Sequence, residues 1–307
     1  MTIDLTDTTT GAISHALTEA RRRIGGMAMG MVLTLVIVTD ESAQYDAIRS
    51  ANQAAREHPC RILAVITRKP KADSRLDAEI RVGEASPGET LVLRMYGALG
   101  QHADSVVTPL LAPDVPVVTW WPDTAPAVPS SDPLGALAQR RVTDSAAADD
   151  PQDMLSELAR AYQPGDTDLA WTRSTAWRSL LAATFDQPYP QLLRGSVTAE
   201  EGNPSADLVA AWLSLRFGIS VTRETSRGPG VTSVAFETAD GEIALNRPDG
   251  RTASLVWPGR PDRLVALHRR ETAELLAEEL RRLDPDEVYG ETLHQLSGER
   301  IPARGLA

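Results

Sequence analysis

The rhythm of polar and apolar positions changes several times along the chain. Ile13, Ala16, Leu17, Ala20 and Ile24 recur at helical spacing, behind a capping run Thr8-Thr9-Thr10 and ahead of Gly25-Gly26. Residues 31–38 are nearly continuous in aliphatic side chains, the pattern of a strand buried on both faces. An alanine-rich stretch over 40–57 predicts a close-packing helix that Pro59 stops, and residues 61–67 form a second aliphatic strand. Strand, helix and strand make a βαβ unit with its two strands parallel. Shorter strands are predicted over 77–82 and 89–95, around Ser86-Pro87-Gly88, followed by a short helix over 96–105.

The densest stretch is Pro109-Leu-Leu-Ala-Pro-Asp-Val-Pro-Val-Val-Thr-Trp-Trp-Pro122. Proline removes a backbone donor and fixes φ, so the prolines bracket a strand over 115–121. Adjacent strand residues point to opposite faces, so one of Trp120 and Trp121 can be core while the other faces a cleft, solvent or partner; the plainer reading is that flanking segments bury both. A helix over 131–139 and a short strand at 142–143 close this half. Beyond an Ala- and Asp-rich stretch at 144–153, two amphipathic helices carry Leu155, Leu158 and Tyr162, then Trp177, Leu180 and Leu181. Asn203-Pro204-Ser205 opens another helix, which Gly218 closes. From Val231 the period shortens to two, and four strands follow over 233–238, 242–246, 252–257 and 263–267. Asp240-Gly241, Pro248-Asp249-Gly250 and Pro258-Gly259 supply the turns of an antiparallel meander. A charged helix over 271–283 is expected to pack on that meander through Leu276, Leu280 and Leu283, and a last helix covers 286–296. The fold class is α/β: a Rossmann-like mixed-sheet α/β domain over 1–146, then an α+β domain over 147–307 with an antiparallel meander and flanking helices.

At 307 residues, two domains are the expected size. A formal charge of −11 argues against a nucleic-acid or anionic-membrane binder, because phosphate surfaces attract basic proteins. Among the basic pairs, Arg140-Arg141, Arg269-Arg270 and Arg281-Arg282, the common role is a solvated helix end; a small anionic metabolite is the alternative. A single cysteine, Cys60, forbids an internal disulfide, and the N-terminus lacks a signal-peptide layout, so the expected location is cytoplasmic. The glycine-rich run from Gly25 to Gly30 precedes a strand, whereas a dinucleotide loop must follow one. The five histidines are scattered and no Gly-x-Ser-x-Gly elbow occurs. Asp166 and Asp168 read either as a metal-binding pair or as caps that pair with Arg173 or Arg178. No nucleophile, base and oxyanion donor come together in the sequence, which predicts a protein without cofactor, metal or catalytic residue.

Six segments carry a resemblance: Glu57-His-Pro-Cys-Arg61, the proline-bracketed stretch above, Ala138-Gln-Arg-Arg-Val-Thr-Asp-Ser145, Asp166-Thr-Asp-Leu-Ala-Trp-Thr-Arg173, Pro204-Ser-Ala-Asp-Leu-Val-Ala-Ala-Trp212 and Leu276-Ala-Glu-Glu-Leu-Arg-Arg-Leu-Asp-Pro285. In order and spacing they resemble the glucose-6-phosphate dehydrogenase assembly protein OpcA family, in its actinobacterial form. The resemblance implies a non-enzymatic partner that binds glucose-6-phosphate dehydrogenase and promotes its active oligomer, feeding NADPH production in the oxidative pentose phosphate pathway. It also implies that Cys60, alone, cannot form the dithiol switch of the cyanobacterial branch. A chain of that kind acts through its surface, and the candidate partner-binding residues are Trp120, Trp121, Arg140, Arg141, Asp166, Asp168, Trp171 and Arg173. A sugar-phosphate or nucleotide sensor is the competing class, with Arg140-Arg141 as its anion anchor.

Overall fold

The computed structural model describes residues 1–23, 30–68, 72–83 and 88–298. The expected helix stop at Gly25-Gly26 and the Ser86-Pro87 part of the turn lie outside them. In chain order the elements are β1 (Thr2–Leu5), α1 (Thr10–Arg23), β2 (Leu33–Thr39), α2 (Gln44–Ala54), β3 (Cys60–Arg68), β4 (Arg75–Val82), β5 (Glu89–Tyr96), α3 (Ala103–Val107), β6 (Val117–Trp120) and β7 (Arg140–Thr143). They continue as α4 (Pro151–Ala161), β8 (Asp166–Asp168), α5 (Leu169–Arg173), α6 (Thr175–Thr184), β9 (Leu192–Ala199), α7 (Pro204–Phe217) and β10 (Val221–Thr225). The last are β11 (Val231–Thr238), β12 (Gly241–Asn246), β13 (Thr252–Trp257), β14 (Arg260–Ala266), α8 (Thr272–Arg281) and α9 (Glu287–Ser297).

Two compact units result. The first joins Met1–Asp144, Gly165–Thr167 and Thr272–Pro285; the second joins Ser145–Pro164, Asp168–Glu271 and Asp286–Ala307. An eight-stranded sheet runs in the order β1-β4-β5-β3-β2-β6-β7-β8. Strands β5, β3, β2, β6 and β7 are parallel in series, while β4 runs antiparallel to β5 and β1 to β4. The aliphatic runs of β2 and β3 are buried almost throughout, as strands covered on both faces must be. The helix expected over 131–139 is absent. Asp132 turns its carboxylate onto the amides of Leu134 and Gly135, at 2.9 and 3.1 Å, and so closes a loop in place of capping a helix. A Cβ on Gly135 would lie 1.9 Å from the Pro129 carbonyl oxygen, so the loop needs that glycine.

The α8 helix corrects a second expectation. It belongs to the first unit, where it packs against α2 and not on the meander. Leu275, Leu276, Ala277 and Leu280 form its buried face.

In the second unit the meander extends into a six-stranded sheet ordered β10-β9-β11-β12-β13-β14. β10 is parallel to β9 and the other neighbours are antiparallel. α7 packs against β9 and β10, with α4, α5 and α9 against its remaining sides or one another. Asn203 caps α7 by accepting from the Ala206 amide at 3.2 Å, and Gly218 ends it at φ 65°. Trp177, Leu208, Val234, Phe236 and Tyr289 are among the buried apolar residues of this core.

Candidate functional site

In a doubly wound sheet, the crevice at the strand C-termini where the order reverses is the usual ligand site. Here β2 separates β3 on one side from β6 on the other. The turn after β2 carries no glycine-rich loop. Asp40 occupies it and accepts from the Ser42 amide and hydroxyl, both at 2.7 Å, and from the Ala43 amide at 2.9 Å. The Ser42 hydroxyl, then the Ala43 amide, hold the Asp40 carboxyl below the usual carboxylate range. Across the crevice, the Thr39 hydroxyl donates to Asp123 at 3.0 Å. Donors that cradle a pyrophosphate elsewhere are here committed to carboxylates, and the added negative charge would repel a phosphate.

The arginine pair on β7 goes into the protein. Consecutive strand residues face opposite ways, and each guanidinium finds its own acid. Arg140 donates from Nε to Glu279 at 2.9 Å, from Nη2 to the same carboxylate, and from Nη1 to the Asp284 carbonyl at 2.9 Å. Arg141 donates to Asp166, and from Nη1 to the Ala138 carbonyl at 3.1 Å. Both arginines, Glu279 and Asp166 are buried. Asp168 is buried too; it accepts from the Ser145 amide and hydroxyl at 2.9 Å and caps α5 through the Ala170 amide at 2.8 Å. Among the described residues, no group of three or more His, Cys, Asp or Glu side chains is placed to hold a metal ion.

Of the two readings for the tryptophan pair, the structure has the one that buries both. Trp120 is 1% and Trp121 2% exposed. Trp121 lies one residue past the end of β6, where its amide donates to the Val142 carbonyl at 3.0 Å and its ring packs at Gly135. Trp171 is buried under the Arg178 guanidinium, 3.5 Å from the ring centroid, and donates from Nε1 to Asp286 at 2.8 Å. Arg173 is half-buried and lines a small cleft. Cys60 opens β3 fully buried, and burial pushes its thiol up to about 12, so it stays protonated and unreactive at neutral pH.

Two family profiles match the chain in succession. Residues 51–160 match the glucose-6-phosphate dehydrogenase subunit N-terminal domain, and residues 164–293 the C-terminal domain of the same subunit. The chain belongs to the OpcA family. Among curated relatives, the OxPP cycle protein OpcA of Synechocystis is 27% identical over 190 residues, 54% of this chain and 38% of the relative. Its counterpart in Synechococcus elongatus is 27% identical over 192 residues, 55% of this chain and 42% of the relative. The chain thus matches less than half the length of these relatives. Among solved structures, an NAD binding oxidoreductase from Klebsiella pneumoniae is 9% identical, with a TM-score of 0.42 over 86% of this chain and 94% of that one; such a likeness carries no argument.

Sequence reasoning missed Glu279 and Glu89. Glu89 is buried and receives Arg21 Nη2 at 2.7 Å and Arg61 Nε at 3.1 Å. Burial outweighs that attraction and leaves Arg61 below the usual arginine value. No helix among the described residues is long and apolar enough to cross a membrane.

Proposed function

We propose that this protein is a non-enzymatic assembly factor that binds glucose-6-phosphate dehydrogenase and promotes its active oligomeric form at the entry to the oxidative pentose phosphate pathway. The observation that carries the reading is the succession of the two subunit domains along most of the chain. A binder of this kind works by mass action: it favours whichever assembly state of the enzyme it binds more tightly. The buried pairs Arg140–Glu279 and Arg141–Asp166, with Trp120, Trp121 and Trp171, then serve recognition indirectly by fixing the shape that presents the docking surface. The net charge of −11 suits a basic patch on the partner, mainly by speeding encounter, so association should slow as salt rises.

The test mixes the purified protein with glucose-6-phosphate dehydrogenase from the same cell. Co-elution on gel filtration, with a saturable rise in kcat/KM on titration, is expected. Separate elution with unchanged kinetics would contradict the proposal.

A further inference from the structure

We propose that the second unit carries a binding site for a phosphoryl group, formed where Arg247 and Arg269 converge beside the first turn of α7. A cleft there is lined by Arg173, Arg247, His268, Arg269 and Arg270, and no aspartate or glutamate lines it. In a chain with 42 acidic and 31 basic residues, such an exclusion of carboxylates is a local reversal of charge.

Arg247 follows the last residue of β12 and is 5% exposed. Its Nη1 donates to the Leu267 carbonyl at 3.2 Å and its Nη2 to the Val231 carbonyl at 2.8 Å. Both acceptors are neutral. Its Nε is buried and has no hydrogen-bond partner. No carboxylate among the described residues forms a salt bridge with Arg247 or with Arg269. Asp249 acts on Arg247 through its charge without forming an ion pair, and the Trp177 ring centroid lies 5.0 Å from the guanidinium. A buried cation with no hydrogen-bonded counter-charge is held at a free-energy cost, and a bound anion would recover part of it. Burial, then the charge of Arg269, pull the Arg247 guanidinium down to about 10 against the smaller opposing effect of Asp249, which leaves it cationic at neutral pH.

Three further features converge on the same point. A Cβ on Gly230 would lie 3.7 Å from Arg247 Nη2 and 3.9 Å from Arg269 Nε, so two guanidiniums approach one place over a residue without a side chain. Gly230 has a φ of 64°, which favours glycine there. Asn203 and Ser205, at the start of the 14-residue α7, line the cleft, so the positive end of a long helix adds to the field.

The cavity volume is about 60 Å³. That is far below the roughly 300–1,000 Å³ of sites that enclose a whole drug-sized ligand. It suits a tetrahedral phosphoryl oxyanion with the rest of its carrier outside. Inorganic phosphate and sugar phosphates share that chemistry. The site goes beyond the partner reading and depends only on the second unit, so a test without the dehydrogenase separates the two.

Isothermal titration of the full chain with inorganic phosphate and with glucose 6-phosphate, at ionic strength held constant with chloride, tests the proposal. Saturable 1:1 binding of at least one probe is expected. Tighter binding of glucose 6-phosphate assigns the site to a sugar phosphate, and equal binding assigns it to phosphate itself. Arg269 is exposed, so Arg269→Gln should melt like wild type in chloride yet bind at least tenfold more weakly. Arg263→Gln, an exposed change on β14 outside the cleft, should leave Kd within about twofold. No saturable heat with either probe at millimolar concentration, or equal loss in both variants, would overturn the proposal.

Discussion

Buried arginines are held in opposite ways in the two units. In the first, Arg140 and Arg141 each meet a buried carboxylate, Glu279 and Asp166, and a backbone carbonyl. In the second, Arg247 is equally deep, meets two carbonyls and has an idle Nε beside the cationic Arg269. The first arrangement is electrically closed and ties a strand to distant chain: Glu279 is 139 residues from Arg140. The second closes no ion pair, and Asp249 acts on it through its charge alone. Depth alone therefore does not distinguish a brace from a binding group; the counter-charge does.

That contrast can be broken by mutation. Glu279→Ala strands Arg140 as a buried, unpaired cation and should cost roughly 3–5 kcal/mol in urea denaturation. The double change Arg140→Met with Glu279→Leu should recover most of the loss; if it recovers none, packing around the helix outweighs the charge pair. Arg247→Met removes a cation that has no ion-paired acid, gives up its contact with the Trp177 ring and strands the carbonyls of Leu267 and Val231, so about 1–3 kcal/mol is expected, less than for Glu279→Ala. An equal or larger loss would mean that Arg247 is as structural as Arg140. Arg269→Gln relieves repulsion on Arg247 at an exposed position and should leave stability in chloride within about 0.5 kcal/mol, read as an unchanged or slightly raised Tm.

The smallest effect is a pH dependence in the first unit. Burial acts to raise the Glu79 carboxyl, but the hydrogen bonds and charges of Arg81 and Arg94 outweigh it and leave the group below the usual carboxylate range. A carboxyl lowered on folding stabilises fully above its ordinary value and loses that contribution as pH falls through the folded one. Glu79→Gln should lower stability by less than about 1 kcal/mol at neutral pH and flatten the acid limb of a Tm-against-pH curve. An acid limb identical to wild type would show that the Arg81 and Arg94 contacts are solvent-screened.

Much of the fold was legible because its signals are local. The aliphatic runs of β2 and β3, the Asn203 and Gly218 ends of α7, and the Asp-Gly and Pro-Gly turns of the meander each act within a few residues. β9 and β10 were missed for the same reason. Leu-Leu-Arg-Gly-Ser-Val-Thr-Ala has a polar centre and leaves Leu193 exposed, so its alternation is weak. The apolar stripe of α8 reads alike whichever surface it covers, so its place beside α2 was not legible. At Trp120 and Trp121, alternation allowed one outward ring beside the reading that buries both, and it ends where β6 ends; the loop at Gly135 then covers the second ring. Arg269-Arg270 was legible as a basic pair, but with Asp249 two residues away nothing local to Arg247 marks it as a residue without an ion pair.

The most direct measurement is sedimentation velocity of glucose-6-phosphate dehydrogenase alone and with a rising excess of this protein, with kcat/KM read on the same samples. The expected result is a saturable shift of the enzyme toward a larger species, in step with its gain in activity. An unchanged sedimentation profile with unchanged kcat/KM at every ratio would contradict an assembly role.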